Sequence, residues 1–200
     1  YNGVEGGVGM SGSFVADITG DGIAEIAIGA PYSNFVSTVD ENGAPVREDY
    51  TGAVYIVDPT APDTVEPAQL INISGSSYSY FGWDMAYMGD LDGGGEADLL
   101  IGAPALSKAF LYRGEDLTAG AMLMLSDAYS NVSGVGFAGV DIANIGDING
   151  DGLAEAAIGG SFIYTEDAAW VGVWDGAILG QSGAHSYTTA LFTVDSTAST

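Results

Sequence analysis

The stretch DINGDGLAEAAIGG, residues 147–160, decides the reading of this chain. Counted from Asp147, oxygen-bearing side chains stand at positions 1, 3 and 5, a glycine at position 6 and an acid at position 9. An apolar run follows at once. The pattern recurs as DITGDGIAEIAIGAP (17–31) and DLDGGGEADLLIGAP (90–104). From Asp17 to Asp90 is 73 residues (90 − 17) and from Asp90 to Asp147 is 57 (147 − 90). Periods of this size mark an array of supersecondary units.

Around each acidic loop the segments follow one plan. An apolar stretch with a glycine near its start comes first: Val8-Gly9, Phe81-Gly82, Ala138-Gly139. After the loop come EIAIGAP, DLLIGAP and EAAIGGS. A third segment is TGAVYIVD (51–58), KAFLYRG (108–114) and AAWVGVWDG (168–176), and a fourth is AQLINIS (68–74), AMLMLSD (121–127) and TALFTVD (189–195). Runs of four to eight residues bounded by Gly, Asp, Ser or Pro are of strand length, and no stretch carries an amphipathic helical period. Four antiparallel strands per unit, repeated, predict an all-β fold of β-propeller-type blades. The units are expected at about 8–75, 80–135 and 136–196 of one domain spanning 1–200, with VSTVDENGAPVREDY (36–50) as a hairpin inserted into the first.

The loops predict an all-oxygen cage. Side chains at alternate positions of a tight loop point inward together, glycine at position 6 permits the sharp turn, and position 7 offers its backbone carbonyl. The expected ligands are Asp17, Thr19, Asp21, Ile23 and Glu25 in the first loop, Asp90, Asp92, Gly94, Glu96 and Asp98 in the second, and Asp147, Asn149, Asp151, Leu153 and Glu155 in the third. Hard oxygen donors suit Ca2+, up to three ions in all. Three carboxylates within nine residues repel one another unless a cation joins them. The second loop, with Gly94 at position 5, has to use water or carbonyls there and is expected to be the weakest. An EF-hand would carry a glutamate at position 12; here that position is Ile28, Ile101 or Ile158, and a strand follows.

Composition narrows the function. The net charge is −24, with Arg47, Lys108 and Arg113 the only basic residues besides the single His185. Such a chain does not bind a nucleic-acid backbone, which needs Lys and Arg. There is no cysteine, so no disulfide and no thiolate site. No apolar run reaches the roughly 18 residues of a spanning helix, and a chain beginning at Tyr1 reads as a mature or excised segment. GVGMSG (7–12) matches a dinucleotide fingerprint but neither follows a strand nor opens a helix. With a lone histidine and no nucleophile elbow, no enzyme is expected. Tyr78, Tyr80, Phe81, Trp83 and Tyr87 form an aromatic cluster that packs between blades or stacks on a sugar, and Trp170 and Trp174 share one face of a strand. Asn72-Ile73-Ser74 and Asn131-Val132-Ser133 are glycosylation sequons in corresponding places of two units.

The units resemble FG-GAP repeats, the blades of the integrin α-subunit propeller and its relatives. Phe81-Gly82 and Gly102-Ala103-Pro104 supply both halves of that motif, and Gly29-Ala30-Pro31 the second half again. The third unit departs, with Ala138-Gly139 and Gly159-Gly160-Ser161. The resemblance implies a β-propeller with Ca2+ in the blade hairpins, working outside the cell in adhesion, recognition or assembly. Three units are fewer than the four to eight blades that close a propeller. Further blades, or self-association into an oligomer or filament, are therefore expected. A protein or glycan ligand is the alternative role.

Overall fold

Three antiparallel sheets lie face to face, each built around one acidic loop. The structure is a computed structural model and describes residues 7–17, 21–43, 45–48, 50–60, 67–69, 78–117, 130–134, 136–161, 169–186 and 189–195. The first sheet runs β1 (Gly12–Phe14), β2 (Ile26–Gly29), β5 (Ala53–Val57), β6 (Pro67–Gln69). The second runs β7 (Met85–Gly89), β8 (Asp98–Ala103), β9 (Lys108–Tyr112), β10 (Ser130–Ser133), and the third β11 (Asp141–Gly146), β12 (Glu155–Ser161), β13 (Ala169–Trp174), β15 (Phe192–Asp195). In each, the acidic loop joins the first two strands. The insertion between β2 and β5 is the expected hairpin, β3 (Phe35–Val39) with β4 (Pro45–Glu48).

Two expectations need correction. The fourth strand of the second sheet is β10, nearer the third unit than the predicted 121–127, which lies outside the described residues. That sheet also has a fifth strand. After β13 the chain makes one helical turn, α1 (Gly176–Leu179), then returns to the second sheet, where β14 (Gly183–Ser186) pairs parallel to β10. Residues Gly183 to Ser186 carry almost no apolar period, so nothing local marked them as a strand. His185 lies in β14 and faces the carbonyl of Gln181 at 3.1 Å.

The strand period of two explains the layering. On β8, Leu99, Ile101 and Ala103 point toward the first sheet and join Val54, Ile56, Met85, Phe110 and Tyr112 in one core. Leu100 points the other way, to a second core with Leu111, Ile142, Ile158, Trp170 and Trp174. Both tryptophans are buried as expected, their rings edge to face at 6.1 Å. The middle sheet is thus apolar on both faces and covered on both.

The outer sheets are covered on one face only. On the open face of the first, Phe14, Ile26 and Val57 align across the strands, with Phe14 71% exposed. On the open face of the third, Val171 pairs with Val194, 45% and 62% exposed.

Glycines set the sheet-to-sheet step. Gly82 (φ +82°) and Gly139 (φ +90°) hold the left-handed conformation that glycine adopts without strain. Each donates its N–H to the carbonyl of the glycine ending its own β-hairpin, Gly82 to Gly102 (3.0 Å) and Gly139 to Gly159 (2.9 Å). Each then rests its own carbonyl on the preceding sheet, Gly82 on Gly29 and Gly139 on Gly102, where any side chain would run into that oxygen. Gly9 donates in the same way to Gly29 (2.9 Å). At the ends the contact is missing. A side chain on Gly9 would meet nothing within 4 Å, and one on Gly159 nothing closer than Asp141 at 3.3 Å.

Candidate metal centres

Each acidic loop closes on the carboxylate at its first position. In the third loop the Asp147 carboxylate accepts from the backbone N–H groups of Gly150 (2.6 Å), Asp151 (3.2 Å) and Gly152 (2.9 Å). In the first, Asp17 accepts from Asp21 (3.0 Å) and Gly22 (2.6 Å), and in the second, Asp90 from Gly93 (2.8 Å) and Gly95 (3.0 Å). Gly22, Gly95 and Gly152, at position 6, all have φ between +88° and +99°. The turn chemistry read from the sequence is present three times over.

The acid at position 9 is the buried anchor. Glu25, Asp98 and Glu155 begin or precede the second strand of their sheets and are fully buried. Asp98 accepts from Leu91 N (2.9 Å) and from Gly114 N (3.1 Å), just past β9. Glu155 accepts from Ile148 N (2.7 Å) and from Gly176 N (3.5 Å), just past β13. The anchor thus ties the acidic loop to a second loop following the third strand. Burial, together with Asp92 and Asp90 nearby, pushes the Asp98 carboxyl up to about 6 against the pull of its two N–H donors.

Donor oxygens converge in two of the three loops. Those of Asp90, Asp92 and Asp98 lie within 4.8 Å of one another, and so do those of Asp147, Asp151 and Glu155. The residues fit a hard cation: the donors are oxygens, they come from an ordered turn, and one of each set is buried. In the third loop the side-chain nitrogen of Asn149 stands among three carboxylates, Asp151 (3.3 Å), Glu155 (3.2 Å) and Asp175 (3.3 Å). That is a place where positive charge is favoured.

The first loop is looser. Among the described residues, Asp17, Asp21 and Glu25 do not gather into such a group. Asp21 instead accepts from the hydroxyl of Thr60 (3.1 Å). Thr19 lies outside the described residues. Of the residues expected to offer carbonyls, Ile23 and Leu153 each give their N–H to the position-5 aspartate (2.8 and 2.9 Å), and Glu96 is exposed.

The second loops were missed in the sequence. Asp58, Arg113 and Asp175 each follow the third strand of their sheet, and each stands beside an acidic loop or, for Asp58, holds its neighbour Thr60 there (2.7 Å to the Thr60 N–H). The signal in the sequence is a polar residue directly after YIV, FLY and GVW, which equally marks the end of a strand.

The aromatic cluster divides. Phe81 is buried against Tyr112 between the first two sheets, rings 5.9 Å apart, while Tyr87 is exposed on β7. Tyr80 and Trp83 join Tyr32 and Tyr50 instead, with ring centroids 5.7–6.0 Å apart. Tyr32, Tyr78, Tyr80, Trp83, Pro104 and Phe137 line a cleft of about 320 Å³. Asn131 sits within β10, paired to Phe110 and Ala184, not on a surface loop; Asn72 lies outside the described residues. Among the described residues no helix is long and apolar enough to cross a membrane.

Comparison with known proteins agrees with the motif. The family model of the FG-GAP repeat matches residues 8–57. Over 105 residues, 52% of this chain, the sequence is 35% identical to integrin alpha-7 of Mus musculus and 34% identical to integrin alpha-7 of Homo sapiens. Over 100 residues, 49% of this chain, it is 31% identical to integrin alpha-3 of Cricetulus griseus. The chain spans 8 or 9% of the length of these relatives. The glycine turns that step one sheet onto the next, the acidic hairpins between their strands and these likenesses agree: residues 8–57 match the FG-GAP repeat, and the chain resembles the integrin alpha subunits.

Proposed function

We propose that this chain is a calcium-stabilised, non-catalytic module of an extracellular adhesion or assembly protein. Its three sheets, in the units 8–75, 80–135 and 136–196, are then three blades of a β-propeller completed by further blades or by other copies. The observation that carries the reading is the repeated glycine step. Among the described residues two sheet interfaces use it, and one half of it stands unmatched at Gly9 and the other at Gly159, each beside an exposed apolar sheet face. Such faces on a repeat array call for a cap or a neighbour.

Calcium would be held by Asp147, Asp151 and Glu155 with Asn149 in the third loop, where the donor oxygens converge, and in the first loop by Asp17, Asp21 and Glu25 with Thr19 once the ion draws those carboxylates together. It would neutralise carboxylates that otherwise repel across the hairpin. The test is thermal unfolding with and without chelator, joined to sedimentation analysis. Ca2+ bound only to the folded state stabilises by about 4 kcal/mol at a thousand times its Kd, and association should rise with concentration. A melting curve indifferent to EDTA would remove the calcium half, and a monomer at all concentrations the self-association half.

A second reading places a ligand in the cleft of Tyr32, Tyr80 and Trp83. Tyr50, Tyr78, Tyr80 and Phe137 hold positive φ angles of 49–76°, a backbone cost that non-glycine residues bear chiefly at functional sites. The rings could stack on a sugar or a peptide. Binding to a glycan panel that Trp83→Ala abolishes would favour this reading.

A further inference from the structure

The three acidic loops differ in what the neighbouring second loop brings to them. The residue directly after the third strand is an acid in the first and third units, Asp58 and Asp175, and a base in the second, Arg113. The Arg113 guanidinium sits among carboxylates from both loops. Nε and Nη2 meet Asp116 at 2.8 and 2.7 Å, Nη1 meets Glu115 at 3.1 Å, and Nε lies 3.8 Å from Asp92, at position 3 of the acidic loop.

Gly94 takes part. A side chain there would run into the carboxylate of Glu115, so the glycine at position 5 is what admits Glu115 to the place an aspartate fills in the other two loops. A carboxylate from outside the loop stands there, and it is already paired with Arg113.

We propose that Arg113 is a built-in counter-cation of the second acidic loop, so that this loop keeps its shape without a divalent ion. An isolated exposed ion pair holds little. Here Nε and Nη2 both meet one oxygen of Asp116, and the guanidinium is shared with two further carboxylates, a network and not a lone pair. A divalent ion held by Asp92 would lie close to a fixed positive charge and be repelled by it, so Arg113 has to swing away before the loop takes one. The second loop is then the constant one of the three, while the third, which among the described residues has the neutral amide of Asn149 and no fixed cation among its carboxylates, responds to Ca2+. The contrast between loops rests on the calcium reading proposed above; the role of Arg113 does not.

Amide hydrogen exchange on the full chain separates the two. In EDTA, the amides of Gly93 and Gly95 should be protected in the unmodified protein, change less than about twofold when Ca2+ is added, and exchange at least tenfold faster in Arg113→Gln. Arg113→Lys, which keeps the charge and loses the fork, should fall between. Should Arg113→Gln not fold, Asp116→Asn removes the carboxylate that Arg113 contacts most closely and should speed the same amides. The inference is overturned if Gly93 and Gly95 gain tenfold or more protection from Ca2+ in the unmodified protein, or if neither Arg113→Gln nor Asp116→Asn changes them. Gly150 and Gly152 of the third loop report in the same spectra. Their indifference to Ca2+ would remove the calcium reading while leaving the Arg113 comparison to be judged by its own amides.

Discussion

At the scale of single residues, glycine is used in two distinct ways. At Gly152 it supplies a positive φ with open space around it; at Gly102 it supplies the absence of a side chain where a neighbouring carbonyl rests. The second use makes a sharp prediction. Gly102→Ala forces a methyl group into the Gly139 carbonyl and should cost about 3 kcal/mol, lowering the melting temperature by about 6–12 °C for a chain of this size. Gly159→Ala, its counterpart on the open face, has 3.3 Å to its nearest neighbour and no positive φ, so it should change stability by less than about 0.5 kcal/mol. Equal losses in the two variants would show that the step contact is not what makes Gly102 intolerant. Trp174, fully buried between the second and third sheets, should cost about 3–5 kcal/mol on truncation to Ala.

At the scale of elements, the acidic hairpin is the unit of design. Asp147 caps the turn, Asp151 and Asn149 line it, and Glu155 pins it to the loop after β13. Asp151→Ala should leave the turn hydrogen bonds of Asp147 in place yet remove a ligand. The expected result is loss of most of the Ca2+-dependent rise in melting temperature, with little change in the melting temperature in EDTA; an equal fall in both conditions would mark Asp151 as structural only. Much of this level was legible in the sequence, because turn chemistry is local: Gly22, Gly95 and Gly152 permit the turn that the aspartate at position 1 closes. Contacts between elements were not legible. That Glu115 fills the room of Gly94, or that β14 crosses to the second sheet, depends on where distant strands come to lie, and no period in the sequence encodes it. The sequence likewise grouped Phe81 with Tyr80 as one cluster, although the backbone turns at Tyr80 (φ +54°), whose ring lines the cleft while Phe81 enters the core.

For the whole molecule, the question is what covers the two outer faces. The middle sheet shows what a covered face looks like, with Leu99, Leu100, Ile101 and Leu111 all at zero exposure. Phe14 and Val194 have the same character and are left in solvent. Phe14→Asp and Val194→Asp should each reduce association measured by sedimentation and reduce binding of a hydrophobic dye, with the melting temperature nearly unchanged, since neither side chain is buried in the single chain. Unfolding by either substitution would mean that the face is already covered within the chain. The three loops lie at the same corner of their sheets, so an assembly built by repeating the step would carry its acidic loops in a regular series.

The glycine step also bears on how such a chain can change over generations. A carbonyl oxygen resting on an α-carbon involves no side chain, so the spacing of the sheets is a property every amino acid shares and none can alter except by intruding. The residues around it are then free to drift. Between the first and second sheets Phe81 fills the space beside the glycine; between the second and third the corresponding residue is Ala138, and the Trp170 ring has come in from another strand to lie against Gly134 near it. Two interfaces built on one repeat pattern keep the same step with different fillings, as two bricks of one gauge may be fired from different clay.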